Sequence, residues 1–499
     1  MRKVKTLTAD ELVKEQISQI NADELLKKNI YDYGIDVIED RALADYRDGF
    51  KPAQRRILQS AKDLKAYADS KTVKSARVTG DCMGKYHPHG SAYGSLVTLV
   101  NSDYPVLDGQ GNYGDINNGP AAERYTEVRI SEIGMKCLEC MAVADTVPNY
   151  GGDLQEPIVI TSRFPTFFVN DCEGIAVGIK SHFPAHNLEE IVAALKVAVK
   201  KGESMSVNDI VKHVKGPDFA YGGKLISPPA EVYALYANGK GALQYECEYT
   251  IVPDGRNWLL TITGYCPNFT PMTFINKMTD LIKDKNSGVV YVNDSSTKDE
   301  PCKLEVILKS KEYFDLKIKK MLTKTVNYHF YTIERHKSTA IDKDVVVDVL
   351  EPTMLELLLN WVDWRKEIET KMTQRELNLN LEREVRLRTK LSATENLNVV
   401  KDALESNDPV KHVLQHLPYV VQLNKTNSDL AKICAEYLMD QKLNAIRKLD
   451  AKKLNEDIAE CVKRQNELNE DLSDISKVVI RELDKLKKFY KPRKLKIAN

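Results

Sequence analysis

The sequence predicts a multidomain α+β protein, and three observations predict it. Short helical patterns punctuated by Gly and Pro fill residues 29 to 155. Alternating runs such as PIVITSRFPTFFVN, LQYECEYTIV and NWLLTITGY follow as strands up to about 345, with helices such as LEEIVAALKVAVKK among them. Beyond that the strands stop and long charged helices take over. At 499 residues the chain exceeds the roughly 250–300 residues at which a single core stops growing. We divide it into a polar N-terminal arm (1–28), a first domain (29–155), a second (156–345), a helical third (346–490) and a basic tail (491–499).

Composition narrows the class. With 42% hydrophobic and 29% charged residues, the chain reads as soluble and globular. No stretch approaches the roughly 20 consecutive apolar residues of a membrane helix. The N-terminal MRKVKTLTADELVKEQ lacks the apolar segment of a secretory signal. Nine cysteines, an odd number running from Cys82 to Cys461, fit a reducing compartment better than a disulfide framework. The expected location is the cytoplasm, with no membrane partner. Net charge is zero, but residues 51–90 hold nine Lys or Arg against three Asp. Such segregation suits phosphate binding on one face, and it also fits a solvated lysine-rich surface.

In the first domain, PAQRRILQSAKDLKAYA (52–68) is a helix with Pro52 at the first helical position and a stripe of Ile57, Leu58, Ala61 and Leu64. A polar connection leads to a second basic helix in SARVTGDCMGKY, then a turn at HPHG. Helix, turn, basic helix and exposed loop is the layout of a winged helix-turn-helix, which sets Lys74, Arg77 and Lys85 against DNA. Next comes GQGNYGDINNGPAAERYTEVR (109–129). Gly109, Gly111 and Gly114 have dinucleotide-loop spacing, but such a loop follows a buried strand and opens a helix. Here NSDYPVLD precedes it and Asn-Asn-Gly-Pro follows. The nucleotide reading fails on context. Arg124 and Tyr125 admit a chemical one: a phenol near pH ~10 needs help as a nucleophile, and an adjacent guanidinium stabilises both phenolate and attacked phosphate. A surface tyrosine beside a surface arginine is the bland alternative.

Metal sites are not expected. His87 and His89 lack further ligands, His412 and His416 share a helix face without a third, and Cys137 with Cys140 has no partner pair. In the third domain, Leu454, Cys461, Leu468 and Ile475 alternate with Ile458, Gln465, Leu472 and Val479 as a heptad seam. A second long helix runs from Met354 past Leu397, and the piece between, with Pro409 and Pro418, is too broken to continue either rod. The expectation is an antiparallel coiled-coil arm with a compact knob at its tip; a bundle folded on the body is the alternative.

Taken together, RALADYRDGFKPAQRRIL (41–58), KSARVTGDCMGKYHPHG (74–90), DGQGNYGDINNGPAAERYTEVRIS (108–131), GIAVGIKSHFPAHN (174–187) and KGPDF (215–219) resemble the breakage-reunion (A-type) subunit of type IIA DNA topoisomerases. The resemblance implies a winged-helix cleavage domain, an α/β tower domain and a long antiparallel coiled coil ending in a helical C-gate. It implies that Tyr125 attacks a DNA phosphate to give a 5′-phosphotyrosyl bond, with Arg124 as its catalytic partner. Arg41, Lys51, Arg55, Arg56, His87 and His89 fall on positions contacting duplex DNA, and Ile175 on the wedge that bends it. Mg²⁺ and ATP are implied for the enzyme. Neither an acidic TOPRIM cluster nor an ATP motif is evident, so both are expected in a partner ATPase/TOPRIM subunit, with the arm as a docking element. A homodimer through the C-gate then makes a heterotetramer or larger. A non-catalytic DNA-binding coiled-coil scaffold is the alternative, against which Arg124-Tyr125 argues.

Three departures accompany the resemblance. Gln54 stands where bacterial members usually carry a histidine. The segment from Gly90 to Asp108 is short and lacks their acidic residues. No repeats suggest a DNA-wrapping propeller, so relaxation and unlinking are expected without ATP-driven negative supercoiling. Size and split organisation resemble the medium subunit of T4-like phage topoisomerases, which places a viral chain in the host cytoplasm.

Overall fold

Proline and polar caps start most helices of the first domain. In the computed structural model, which describes residues 21–284, 287–297, 300–338, 344–441, 446 and 450–498, helix α1 (Ala22–Val37) begins at Asn21, whose side chain accepts from Asp23 N. Helix α2 (Pro52–Asp63) has Pro52 in its first turn, and Gln54 Oε1 accepts from Lys51 N at 3.0 Å. Strand β1 (Val73–Lys74) leads into α3 (Ser75–Lys85), and α4 (Tyr93–Asn101) follows the His-Pro-His-Gly turn. The stripe Ile57, Leu58 and Ala61 of α2 is buried with Val78 and Cys82 of α3 and Leu96 and Leu99 of α4. Strands β2 (Leu107–Gln110) and β3 (Glu127–Ile130) complete an antiparallel sheet of order β1-β3-β2.

Two larger antiparallel-rich sheets follow. A six-stranded sheet contains the hairpin β4 (Cys172–Ala176) and β5 (Ile179–Phe183), strands 323–329 and 240–246, and a short strand at 224–225 with 496–497 parallel to it at the edge. Phe183 of β5 anchors an aromatic core: its ring centroid lies 4.5 Å from Phe167 and 4.7 Å from Phe330. A four-stranded sheet spans 248–308, with the helix Pro271–Lys283 inserted. The hairpin of Thr332–Lys337 and Val345–Leu350 joins the first domain through a bridge between Asp45 and Ile333. Among the described residues no helix is long and apolar enough to cross a membrane.

The chain separates into two compact units, residues 1–361 with 487–499 and residues 362–486. The long helix Met354–Glu395 runs into the second unit and Ala451–Ser473 returns beside it. Arg464 pairs with Glu376 at 2.7 Å, and Asn380 Nδ2 donates to Cys461 O at 3.1 Å, so the two helices are antiparallel. Leu454, Ile458, Cys461 and Leu468 are buried along the seam. The heptad frame ends earlier than its spacing suggests: the helix breaks at Asp474 (φ −144°), and Ile475 and Val479 belong to a separate helix, Ile475–Asp484. Between the rods, Pro409 and Pro418 each open a short helix around a core of Val400, Val413, Leu417, Val420, Ala435 and Leu438. His412 and His416 lie side by side there, their rings tilted by 43° with centroids 4.4 Å apart. The boundary expected at residue 28 falls inside α1, that at 155 inside the strand Gln155–Pro157, and that at 345 at the start of Val345–Leu350. Residues 1–20 of the arm lie outside the described residues.

Candidate active site

Between β2 and β3 the glycine loop carries Tyr125. Gly111 (φ +112°) and Gly114 (φ +84°) occupy the left-handed region. A Cβ on Gly114 would stand 2.7 Å from Asn118 O, and one on Gly109 2.5 Å from the Tyr113 ring. The three glycines are thus required by a tight turn and a close approach. Asp115 closes the turn, its Oδ1 accepting from Asn117 N at 2.7 Å and Asn118 N at 2.8 Å. No helix follows the loop; it runs into β3.

Tyr125 is 65% exposed, whereas Thr126 beside it is fully buried. Thr126 Oγ1 reaches Ser75 Oγ at 2.8 Å and Tyr93 Oη at 3.0 Å. Ser75 N donates to Thr126 O at 3.0 Å, and Ala76 N to Glu123 O at 3.3 Å. Those amides belong to the first turn of α3, where N–H groups have no intrahelical acceptor. The loop bearing Tyr125 therefore caps α3, and the carbonyls doing so flank the tyrosine. The Arg124 guanidinium carbon lies 4.6 Å from the Tyr125 ring centroid, within cation–π range.

The cations expected to face DNA divide into three kinds. Arg41, Arg77 and Arg124 are exposed; among the described residues they make no ion pair. Arg77 shares the outer face of α3 with Gly80 and Gly84, where an added Cβ would meet nothing within 4 Å. Lys74, exposed, pairs with Glu127 at 2.8 Å, a pair of the kind worth about 0–1 kcal/mol that yields readily to a phosphate; Lys85, partly exposed, pairs with the largely buried Asp81 at 2.7 Å. Lys51 Nζ donates to Glu173 O at 2.6 Å.

Arg55 and Arg56 depart from the expectation. Arg55 is 3% exposed; its guanidinium donates to Asp48 at 2.7 and 3.1 Å and to Phe50 O at 3.0 Å. It is a buried structural cation because Asp48, fully buried, also receives Phe50 N and Ile160 N. The neighbouring Asp45–Arg47 pair is similar: burial raises the Asp45 carboxyl, but Arg47 outweighs it and holds it below its ordinary value. Arg56 is clamped by Glu156 through two 2.9 Å bonds. His87 is half-buried; burial first, then Arg56 and His89, lower its pKa. His89 is exposed, its ring 5.5 Å from that of His87.

Ile175 is 70% exposed on the β4–β5 hairpin, cross-strand from Lys180. The hairpin base is fixed by Lys51 and by Gly174, where a Cβ would stand 2.2 Å from Ala42 O. A tail as basic as KPRKLKIAN is suited by charge to phosphate, yet much of it is tied to the body. Arg493 pairs with Glu190 at 2.9 Å, Lys491 Nζ donates to Asp103 O at 2.7 Å, and Asp218 accepts from Lys494 N and Leu495 N. Lys491 and Arg493 thus bind the body through their side chains, while Lys494 is tied to it through its backbone amide. The tail borders a cavity of about 520 Å³ lined by Asp103, Asp171, Asp218, Lys491 and Lys494. Burial, then Asp171 and Asp218, push the Asp103 carboxyl up to about 7.

Several residues that hold this arrangement have no signature in the sequence. Thr79, Glu123 and Tyr93 act through partners 28 to 44 positions away. Asn149 Nδ2 donates to Lys85 O at 2.7 Å and Tyr150 Oη to Gly84 O at 2.8 Å, capping the other end of α3; only the Asn-Tyr-Gly-Gly turn could have flagged them. Among the described residues no group of three or more His, Cys, Asp or Glu side chains is arranged to hold a metal ion. None of the nine cysteines is in a disulfide, and Cys137 and Cys140 are among the buried ones.

Comparison with known proteins follows the same residues. The family of A-type subunits of DNA gyrase/topoisomerase IV matches residues 41–484. The chain is 29% identical over 489 residues to the A-type subunit of DNA topoisomerase 4 from Neisseria gonorrhoeae, covering 90% of this chain and 60% of that protein. It is 31% identical over 459 residues to the A-type subunit of DNA gyrase from Borrelia hermsii, covering 89% and 54% respectively. It is 29% identical over 479 residues to the corresponding gyrase subunit of Clostridium acetobutylicum, covering 91% and 54%. The chain thus spans between 54 and 60% of the length of these relatives. With most of its residues inside the family match, the α3 helix and the Tyr125 loop included, the chain belongs to the family of A-type subunits of DNA gyrase and topoisomerase IV.

Proposed function

We propose that the chain is the DNA-cleaving subunit of an ATP-dependent type IIA topoisomerase, with Tyr125 as nucleophile. The phenol oxygen attacks a backbone phosphorus and gives up its proton. A 5′-phosphotyrosyl bond forms, the bond to the 3′ oxygen breaks, and that oxygen takes a proton; reversal reseals the strand. Arg124 stabilises charge on the attacked phosphate. Helices α2 to α4 with their sheet serve as a winged-helix module that lays α3 on duplex DNA. Arg41, Lys74, Arg77 and Lys85 neutralise phosphates, and Ile175 opens a base step and bends the duplex. Residues 156–345 then form the tower, and the helical tip between the long rods the C-gate of a homodimer, giving two Tyr125 nucleophiles. A partner ATPase/TOPRIM subunit completes a heterotetramer or larger, in the cytoplasm. Its Mg²⁺ would neutralise the reacting phosphate and its ATP would drive duplex passage, relaxation and decatenation.

The observation that carries this reading is an exposed tyrosine, beside an unpaired arginine, on a loop that caps a basic, glycine-smoothed helix. Tyr125→Phe tests it. With the partner subunit, DNA and Mg²⁺, trapping by denaturant should give covalent protein on the 5′ end for the wild type and none for the variant. DNA affinity should change little, because only the nucleophilic oxygen is removed. Residual adduct would move the nucleophile elsewhere.

A further inference from the structure

We propose that Thr79 and Glu123 form a strut that sets Tyr125 in place against the DNA-facing helix. Thr79 is 1% exposed on the inner face of α3, and its Oγ1 lies 2.9 Å from Glu123 Oε2. The same hydroxyl stands 3.2 Å from Ser75 O and 3.3 Å from Ala76 O, so its single proton must choose. A carboxylate acceptor at shorter range makes a bond roughly twice as strong as a neutral one, and the proton goes to Glu123. Glu123 is then held twice, its carbonyl by Ala76 N and its carboxylate by Thr79. The two anchors lie three residues apart, nearly one turn of α3, and so fix the position and the tilt of the peptide leading to Tyr125.

The other flank of Tyr125 is held by different groups: Thr126 by Ser75 and Tyr93, and Glu127 by Thr72 at 2.6 Å and Lys74 at 2.8 Å. Tyr125 N closes a turn onto Ala122 O at 2.9 Å. On the N-terminal flank Tyr93 Oη donates to Ala121 O at 2.7 Å and Ala121 N to Asn112 O at 2.9 Å, so Thr79–Glu123 is the side-chain link between α3 and the residues after Ala121. Without it, the stretch from Ala122 to Tyr125 keeps one backbone bond to α3, from Ala76 N to Glu123 O. Thr79 and Glu123 are thus positioning residues, acting through Tyr125.

The test uses the full chain as Thr79→Val, Thr79→Ser, Glu123→Gln and Glu123→Ala. Amide hydrogen exchange over residues 121–126 reads the strut directly. Covalent adduct at saturating duplex DNA, with Mg²⁺ and the partner subunit, reads its consequence, and this second readout rests on the cleavage reading above. Thr79→Val and Glu123→Ala should raise exchange and slow adduct formation by about 10- to 100-fold, the size expected for an ångström-scale misplacement. Duplex affinity should stay within about twofold, since phosphate contacts dominate it. Thr79→Ser keeps the donor and should behave like the wild type, while Glu123→Gln keeps an acceptor without its charge and should fall between the wild type and Glu123→Ala. If Thr79→Val folds poorly, Glu123→Ala carries the same test. Unchanged exchange in the two disrupting variants, or raised exchange with an unchanged adduct rate, overturns the strut. A wild type that forms no adduct overturns the cleavage reading instead, and the exchange experiment still decides the strut.

Discussion

Replacing Arg55 by methionine removes a guanidinium and keeps most of the side-chain volume. Asp48, fully buried, loses its bonds at 2.7 and 3.1 Å, and Phe50 O loses a donor. Removing one member of a buried ion pair costs about 3–5 kcal/mol. Two backbone amides, Phe50 N and Ile160 N, still serve Asp48, which places the cost near the lower end, about 3 kcal/mol. Unfolding entropy of about 2.1 cal/mol/K per residue, over a unit of roughly 370 residues, gives about 0.8 kcal/mol/K. The melting temperature should therefore fall by about 4 °C. A lost phosphate contact would act elsewhere, lowering the slope of log affinity against log salt by about 0.9. Calorimetry and salt-titrated DNA binding on Arg55→Met and Arg77→Met separate the two. Arg55→Met should melt lower with its salt slope intact, and Arg77→Met the reverse. An Arg55→Met protein with wild-type melting and a reduced slope would refute the buried-pair assignment.

Ile175→Ala should reduce the DNA bend angle measured by energy transfer, and with it cleavage, more than affinity; an unchanged angle counts against the wedge. Asp103, raised to about 7 from 3.8, favours its protonated form in the folded state. Stability is then fullest below about pH 4 and is lost as pH rises through 7. Asp103→Asn should melt a few degrees above the wild type at pH 8 and equally at pH 4, and equal melting at both would sink the assignment. Truncation after Tyr490 removes the Arg493–Glu190 pair and the edge strand at 496–497. It should lower the melting temperature and leave the salt slope alone; the opposite pattern would return the tail to DNA.

Elements with a local cause were legible in the sequence. Pro52 opens its helix where expected, because a residue without an N–H is welcome at the first helical position; Pro409 and Pro418, read as breaks between the rods, each open a short helix for the same reason. The stripe of α2 is buried as its spacing predicts. The glycine loop was legible as a turn because Asn-Asn-Gly-Pro excludes a helix. The break at Asp474 was not, since Leu472, Ile475 and Val479 keep heptad spacing through it. Seven-residue spacing reports which face is apolar and carries no term for a bend in the backbone between repeats.

Charge was the least legible feature, for a reason that the site makes concrete. Arg55, Arg56 and Arg77 are one residue type on two adjacent helices, yet one is buried on Asp48, one is clamped by Glu156 from a strand 100 positions away, and one is unpaired. A sequence window sees each guanidinium but not the carboxylate that folding brings to it. The tail illustrates the same point: KPRK reads as a phosphate-binding tract, while the fold supplies Glu190, the Asp103 carbonyl and the carbonyls of Gly216 and Pro217 as acceptors. Tyr125 differs because its case rests on exposure. A phenol of its size is ordinarily at least half-buried, and this one stands 65% exposed while Glu123 and Thr126 to either side are held. Tyr31, at 68%, is exposed as well, so what sets Tyr125 apart is what accompanies its exposure: the Arg124 guanidinium over its ring and, on either side, the carbonyls of Glu123 and Thr126 that cap α3.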